Sequence, residues 1–119
     1  MPNPIIAVVD DMIFISKIRA VAESQGVTVR FLRDRDALFA VAREATPSLI
    51  IIDLHSQKVD PMELASLLKA DPELKMIQLL GFYSHVETEL RNQAEGAGFD
   101  RVMARSAFSA NLAEILAPL

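Results

Sequence analysis

Five short apolar runs, at positions 5–9, 27–32, 49–52, 76–82 and 101–104, punctuate this chain at near-regular intervals. Each is too short for a helix and reads as a strand, and the first, Ile5–Val9, suits a strand buried on both faces. The segments between them repeat apolar residues every third or fourth position, which predicts helices. The first, 12–25, puts Phe14, Ile18, Val21 and Ala22 on one face and stops at Gly26, a residue that closes helices in the left-handed conformation. The second, 35–45, has Asp34 and Asp36 near its start as capping candidates and Thr46-Pro47 after its end. The third, 61–70, follows Asp60-Pro61, with proline in the first helical turn. A fourth, 86–96, runs into Gly96 and Gly98, and the last covers 107–117.

Strict alternation of strand and helix predicts an α/β fold, (βα)5, in which a parallel five-stranded sheet is covered by helices on both sides. Right-handed crossovers make it doubly wound, with strand order 2-1-3-4-5. Functional groups in such sheets gather at the carboxyl ends of the strands, near the switch point between the first and third.

The totals narrow the classes. A chain of 119 residues suits one domain, 1–119, with no output domain expected. A 51% hydrophobic content excludes general disorder, and the absence of cysteine excludes disulfides and thiolate metal sites. The net charge of −4, without any basic block, argues against direct nucleic-acid binding. No apolar stretch reaches membrane-spanning length and no basic leader precedes the first run, so a cytoplasmic protein off the membrane is expected.

The chemistry sits where the topology directs attention. The first strand ends in Asp10-Asp11, and the third ends in Asp53 within "IIIDLHSQ". If those strands are neighbours, three carboxylates converge, and two charges ~4 Å apart repel by about 4 kcal/mol at an effective dielectric near 20. Such a pocket must protonate an acid or recruit a cation, and oxygen-only ligands favour Mg2+, Mn2+ or Ca2+. Taken singly, each Asp is equally a turn former or a helix cap, and Asp11 is placed to cap the first helix.

The "VVDD" and "IIIDL" strand ends and "GAGFDRVMARSAF" near the C-terminus resemble the receiver domain of bacterial response regulators over essentially the whole chain. The resemblance implies a flavodoxin-like, CheY-like fold in which Asp10 and Asp11 help to hold Mg2+. It implies that Asp53 accepts a phosphoryl group from a histidine kinase or phosphotransfer protein, and that the backbone carbonyl of His55 is a further metal ligand. It also implies signalling by partner binding rather than enzymatic turnover, and the helix 4–strand 5–helix 5 face as the place for a homodimer. In "DLHSQKVDPMEL", Asp60 matches the pattern, while Gln57 and Pro61 replace its usual proline and glycine. Met12, Ile13 and Ile15 exceed what the first helix needs for its core face, so this surplus either lies in part exposed beside the acid pocket, where the family docks its phosphodonor, or packs under loops.

Three positions depart from the pattern. Where the family carries Thr or Ser at the end of strand 4, this chain has Tyr83, whose phenol oxygen lies ångströms further from the backbone. Ser84 is adjacent, but neighbouring strand residues point to opposite faces, so it serves only if the strand end is shifted or bulged. Arg105-Ser106 stands where Lys-Pro is usual; arginine keeps the charge in a planar fork, and a trans peptide follows because a non-proline cis bond costs roughly 3 kcal/mol. The aromatic residue expected on strand 5 is Val102. Tyr83 either lies over the acids or packs under the fourth helix. His55 and His85, the only histidines, fall two residues beyond Asp53 and Tyr83; each reads most simply as a solvated loop residue. Ser106 is a candidate cap for the last helix.

Two functions compete. One is an atypical stand-alone receiver phosphorylated on Asp53. The other is a pseudo-receiver, an interaction module in which Arg105 bridges the acid pocket permanently. Other ligand classes on this fold do not match: "DDMIF" is no phosphate loop, "DLHSQK" lacks the glycine of a cobalamin motif, and Asp10-Asp11 lacks the spacer of a dehalogenase-type Asp-x-Asp.

Overall fold

A computed structural model describes residues 3–84 and 88–117. Strands β1 (Ile5–Val8), β2 (Val29–Phe31), β3 (Leu49–Asp53), β4 (Gln78–Tyr83) and β5 (Arg101–Ala104) form one parallel sheet in the order β2-β1-β3-β4-β5. Helices α1 (Met12–Gln25), α2 (Arg35–Ala45), α3 (Pro61–Ala70), α4 (Thr88–Ala97), α5 (Arg105–Ala110) and α6 (Leu112–Ile115) complete the chain. The (βα)5 pattern and the strand order are those expected from the sequence.

The period of two along the strands sorts the core into two layers. Ile6, Val8, Ile50, Ile52 and Leu79 face Leu38 and Ala42 of α2, Leu64, Ala65 and Leu68 of α3, and Ala94 of α4. Ile5, Ala7, Ile51, Leu80 and Phe82 face α1, α5 and α6 through Phe14, Ile15, Ile18, Ala22, Phe108 and Leu112. Burial on both sides explains why the inner strands β1, β3 and β4 read as continuous apolar runs, while the edge strands β2 and β5 are only partly buried and expose Arg30 and Arg101.

The helix signals hold at most ends. Asp11, Asp34 and Asp60 accept backbone N–H bonds as N-caps, Pro61 opens α3, and Gly26 closes α1 at φ 69°. Four expectations shift. Ile15 is buried in the core, so the exposed apolar surplus of α1 is Met12 and Ile13 alone. β4 begins at Gln78, leaving Met76 exposed in the preceding turn. The last helix starts at Arg105 and breaks at Asn111, whose backbone N–H and side-chain amide both donate to the Ala107 carbonyl, at 3.0 and 2.8 Å. Ser106 therefore lies inside α5, whose N-cap Ala104 offers no side-chain bond.

The sheet's far end is pinned by Lys69. Its ammonium donates to the carbonyls of Lys75 and Ile77 and to Asp100 at 3.2, 3.1 and 2.9 Å, and Asp100 accepts the Leu79 N–H. Gly98 makes room for that side chain: it sits at φ +114°, and a Cβ there would lie 2.7 Å from Lys69 Cγ. Gly98→Ala should therefore destabilise by roughly 1–3 kcal/mol. Gly96 lies within α4, and a methyl added there would meet nothing within 4 Å, so the same change should gain roughly 0.5–1 kcal/mol. Paired urea denaturations check the opposite signs; two losses of equal size would refute the contrast.

Candidate functional site

β1 and β3 are neighbours, so their carboxyl ends bring Asp10 and Asp53 to one edge of the sheet. Asp53, the last residue of β3, is half-buried, and its Oδ1 accepts the His55 N–H at 2.9 Å. Burial pushes its carboxyl above the usual range; the His55 N–H pulls the other way, and the Asp10 charge adds to the rise. The charges of His55 and Arg105 offset part of that rise.

Asp10 is held from the other side of the loop. Its Oδ2 accepts the Gln57 N–H at 3.1 Å and the Ser56 hydroxyl at 3.4 Å. Its Oδ1 is buried and has no hydrogen-bond partner among the described residues. A buried orphan carboxylate oxygen is costly, and a cation is the ordinary remedy.

Asp11 is used differently. Its Oδ1 accepts the N–H groups of Ile13 at 2.8 Å and Phe14 at 3.3 Å, capping α1, while its Oδ2 pairs with Arg105 at 2.5 Å. The Arg105 guanidinium holds its carboxyl below the usual range, with help from the Phe14 N–H. Arg105 also lies over the Phe14 ring, 4.4 Å from its centroid, a cation–π geometry. Both roles weighed for Asp11 and Arg105, cap and bridge, are thus occupied at once. Among the described residues no three acidic, histidine or cysteine side chains gather at metal-ligand spacing.

Tyr83 resolves its alternative in favour of packing: it is buried in the layer that holds Ala94, Leu90 and Phe99, under α4. Ser84 is exposed, and Val102 is half-buried in the same layer as Tyr83. No cis peptide occurs among the described residues, as expected for Arg105-Ser106. The His55 carbonyl accepts the Gln57 side-chain amide at 3.4 Å, and its ring Nε2 is buried without a partner among the described residues, so His55 is not the solvated loop residue of the simplest reading. His85 lies outside the described residues. The sequence reading missed Ser56 and Gln57 as partners of Asp10. The Gln57 contact is a backbone N–H, which any residue supplies and no motif advertises.

No family model matches the chain. The fold nonetheless has close counterparts. A response regulator from Hahella chejuensis superposes with a TM-score of 0.84 at 18% identity, covering 96% of this chain and 92% of that one. The receiver domain of a sensor histidine kinase from Pseudomonas aeruginosa, with magnesium coordinated in its active-site cleft, gives 0.81 at 19% identity, covering 98% and 95%. This is the receiver fold. The Mn2+-bound response regulator Rcp1 shares it at a TM-score of 0.79 and 20% identity, over 96% of this chain and 91% of that chain. In sequence, the chain is 23% identical over 113 residues to Protein RcaC of Microchaete diplosiphon, covering 95% of this chain and 17% of that protein. The chain thus spans about a sixth of the length of that relative. No helix among the described residues is long and apolar enough to cross a membrane.

Proposed function

We propose that this chain is an atypical receiver module of phosphorelay signalling, with Asp53 as the phosphoryl acceptor. The observation that carries this reading is the pair at the switch point: a desolvated Asp53 beside Asp10, whose buried Oδ1 lacks a partner among the described residues. The donor set fits a hard divalent cation, Mg2+ or Mn2+, held by Asp10, Asp53 and the His55 carbonyl, with Asp11 as a further ligand through the Oδ2 that Arg105 now holds. Such a cation supplies charge neutralisation to the phosphoryl oxygens. Asp53 supplies the nucleophile: a carboxylate oxygen bonds to phosphorus as the bond from phosphorus to the donor atom breaks, and that atom leaves with the electron pair.

The reading includes a histidine kinase or phosphotransfer protein as donor, output by protein–protein contact rather than turnover, and a cytoplasmic setting. It also includes the α4–β5–α5 face as a homodimer surface. It makes the protein atypical because Tyr83 is committed to packing and Ser84 faces solvent, so neither takes the place of a short hydroxyl beside the acids. A second reading, the pseudo-receiver whose state is not set by phosphorylation, draws on the Arg105–Asp11 pair at 2.5 Å.

Mass spectrometry after incubation with acetyl phosphate and Mg2+ separates the two. The receiver reading expects a labile adduct of about 80 Da, the mass of one phosphoryl group, that disappears in Asp53→Asn. A folded wild-type protein that stays unmodified, with acetyl phosphate and with a panel of phosphorylated phosphotransfer proteins, shifts the assignment to the pseudo-receiver.

A further inference from the structure

We infer that Arg105 is a built-in rival of the divalent cation for Asp11, and that its release is carried through Phe14 into the seam between α1 and α5. The inference rests on the proposed cation site and adds how occupancy of that site is read out.

Asp11 has two oxygens with different duties. Oδ1 caps α1 by accepting from Ile13 and Phe14, while Oδ2 is the atom that Arg105 holds. A cation seated on the orphan Oδ1 of Asp10 and on Asp53 reaches Asp11 only by contesting Oδ2 with the guanidinium. Two positive charges on one carboxylate oxygen repel, so the guanidinium and the cation exclude each other there.

The consequence of losing that contest lies in the packing around Arg105. Its second seat is the Phe14 ring, on the same helical turn that Asp11 caps. Phe14 meets Phe82 and Phe108 at centroid distances of 5.1 and 5.5 Å, and Phe82 stacks on Phe108 at 4.7 Å. Phe82 pairs in register with Asp53, and Phe108 lies on α5, whose first residue is Arg105 itself. That first turn has no side-chain cap, whereas further along the seam is fastened by Lys17 to Ser109 and by Gln25 to the Ala113 carbonyl. The unfastened end of α5 is therefore the end that Arg105 anchors. When Arg105 leaves Asp11, the aromatic cluster and the first turn of α5 move with it. This route runs on the opposite face of the sheet from Tyr83.

The test is isothermal titration of Mn2+ into the wild-type chain, Arg105→Ala, Phe14→Leu and Asp53→Asn, with amide NMR of α5 at each endpoint. Arg105→Ala should tighten Mn2+ by about tenfold, the scale of one charge-assisted hydrogen bond. Phe14→Leu should tighten it by roughly threefold, although the lost ring carries no charge, because Arg105 loses its second seat. In the wild type, the diamagnetic Mg2+ should shift resonances of 105–110 beyond the loop that binds it, because Mn2+ broadens nearby amides by proximity alone. Equal affinities for wild type and Arg105→Ala overturn the rivalry while leaving the cation site standing. An unchanged Phe14→Leu affinity, or a silent α5, overturns the transmission. No binding in either wild type or Arg105→Ala removes the cation site and the inference together.

Discussion

Phe82→Ala is expected to cost the domain about 3–5 kcal/mol, the range for emptying a fully buried aromatic site. Phe82 is 1% exposed, and its ring lies between Phe14 of α1 and Phe108 of α5, so its loss unpacks the sheet from two helices at once. The neighbours have little freedom to close the gap. Phe14 is tied to the cap of α1, and the Phe82 carbonyl that accepts the Leu54 N–H fixes the strand opposite Asp53. Against a whole-domain stability of roughly 5–15 kcal/mol, such a loss approaches global unfolding. Phe82→Leu, which keeps most of the volume, should lose about 1–2 kcal/mol and remain measurable if the alanine variant does not fold. Urea denaturation at neutral pH checks both. A loss below about 1 kcal/mol for alanine would show that the site collapses freely and that the aromatic trio does not hold the two helices to the sheet.

That trio marks the limit of what the sequence made legible. Strand order, the spans of the first three helices and the meeting of Asp10 with Asp53 follow from local signals: apolar runs, caps, and the geometric rule that parallel sheets present their carboxyl ends together. Phe14 was readable as core from its helical spacing. Its service as a seat for Arg105 was not, because that contact joins residues far apart in the chain whose meeting depends on side-chain rotamers. Arg105 itself shows the same division. Its type and strand-end position announced a cation near three acids, but the choice of Asp11 over Asp53 was made by the cap, which turns Asp11 toward α1 and α5. Tyr83 was ambiguous for a related reason: a residue at a strand end has equal access to the pocket and to the layer beneath, and tertiary packing under α4 decided it. The break at Asn111 was missed because a single asparagine in an otherwise helical pattern is a weak signal.

The Asp53 carboxylate should itself be a burden on stability at neutral pH, and Asp53→Asn should relieve it. Burial raises its carboxyl above the usual range in the folded chain, while in the unfolded chain it titrates normally. Between those two values the folded state binds more protons than the unfolded one. Stability therefore falls as pH rises through that window, and the full cost is present above the folded value. Asparagine keeps an oxygen for the His55 N–H but carries no charge, so the variant should be more stable at pH 7 and melt at a higher temperature. As pH falls through the window the advantage should shrink toward zero, because the wild-type carboxyl becomes neutral too. Asp11 works in the opposite sense, since its lowered carboxyl loses its stabilising pair only as pH falls through the folded value; it is present in both proteins and cancels in the comparison. Thermal melts of the two proteins in chelator, at pH 7 and pH 4, measure the difference directly. Adding Mg2+ at pH 7 should then narrow the gap by stabilising the wild type more than the variant, by linkage to a site that needs the charge. A variant that is less stable than wild type at pH 7, or an advantage that does not change with pH, would show that Asp53 is already neutralised within the fold. In that case the pocket would have no electrostatic reason to take up a cation.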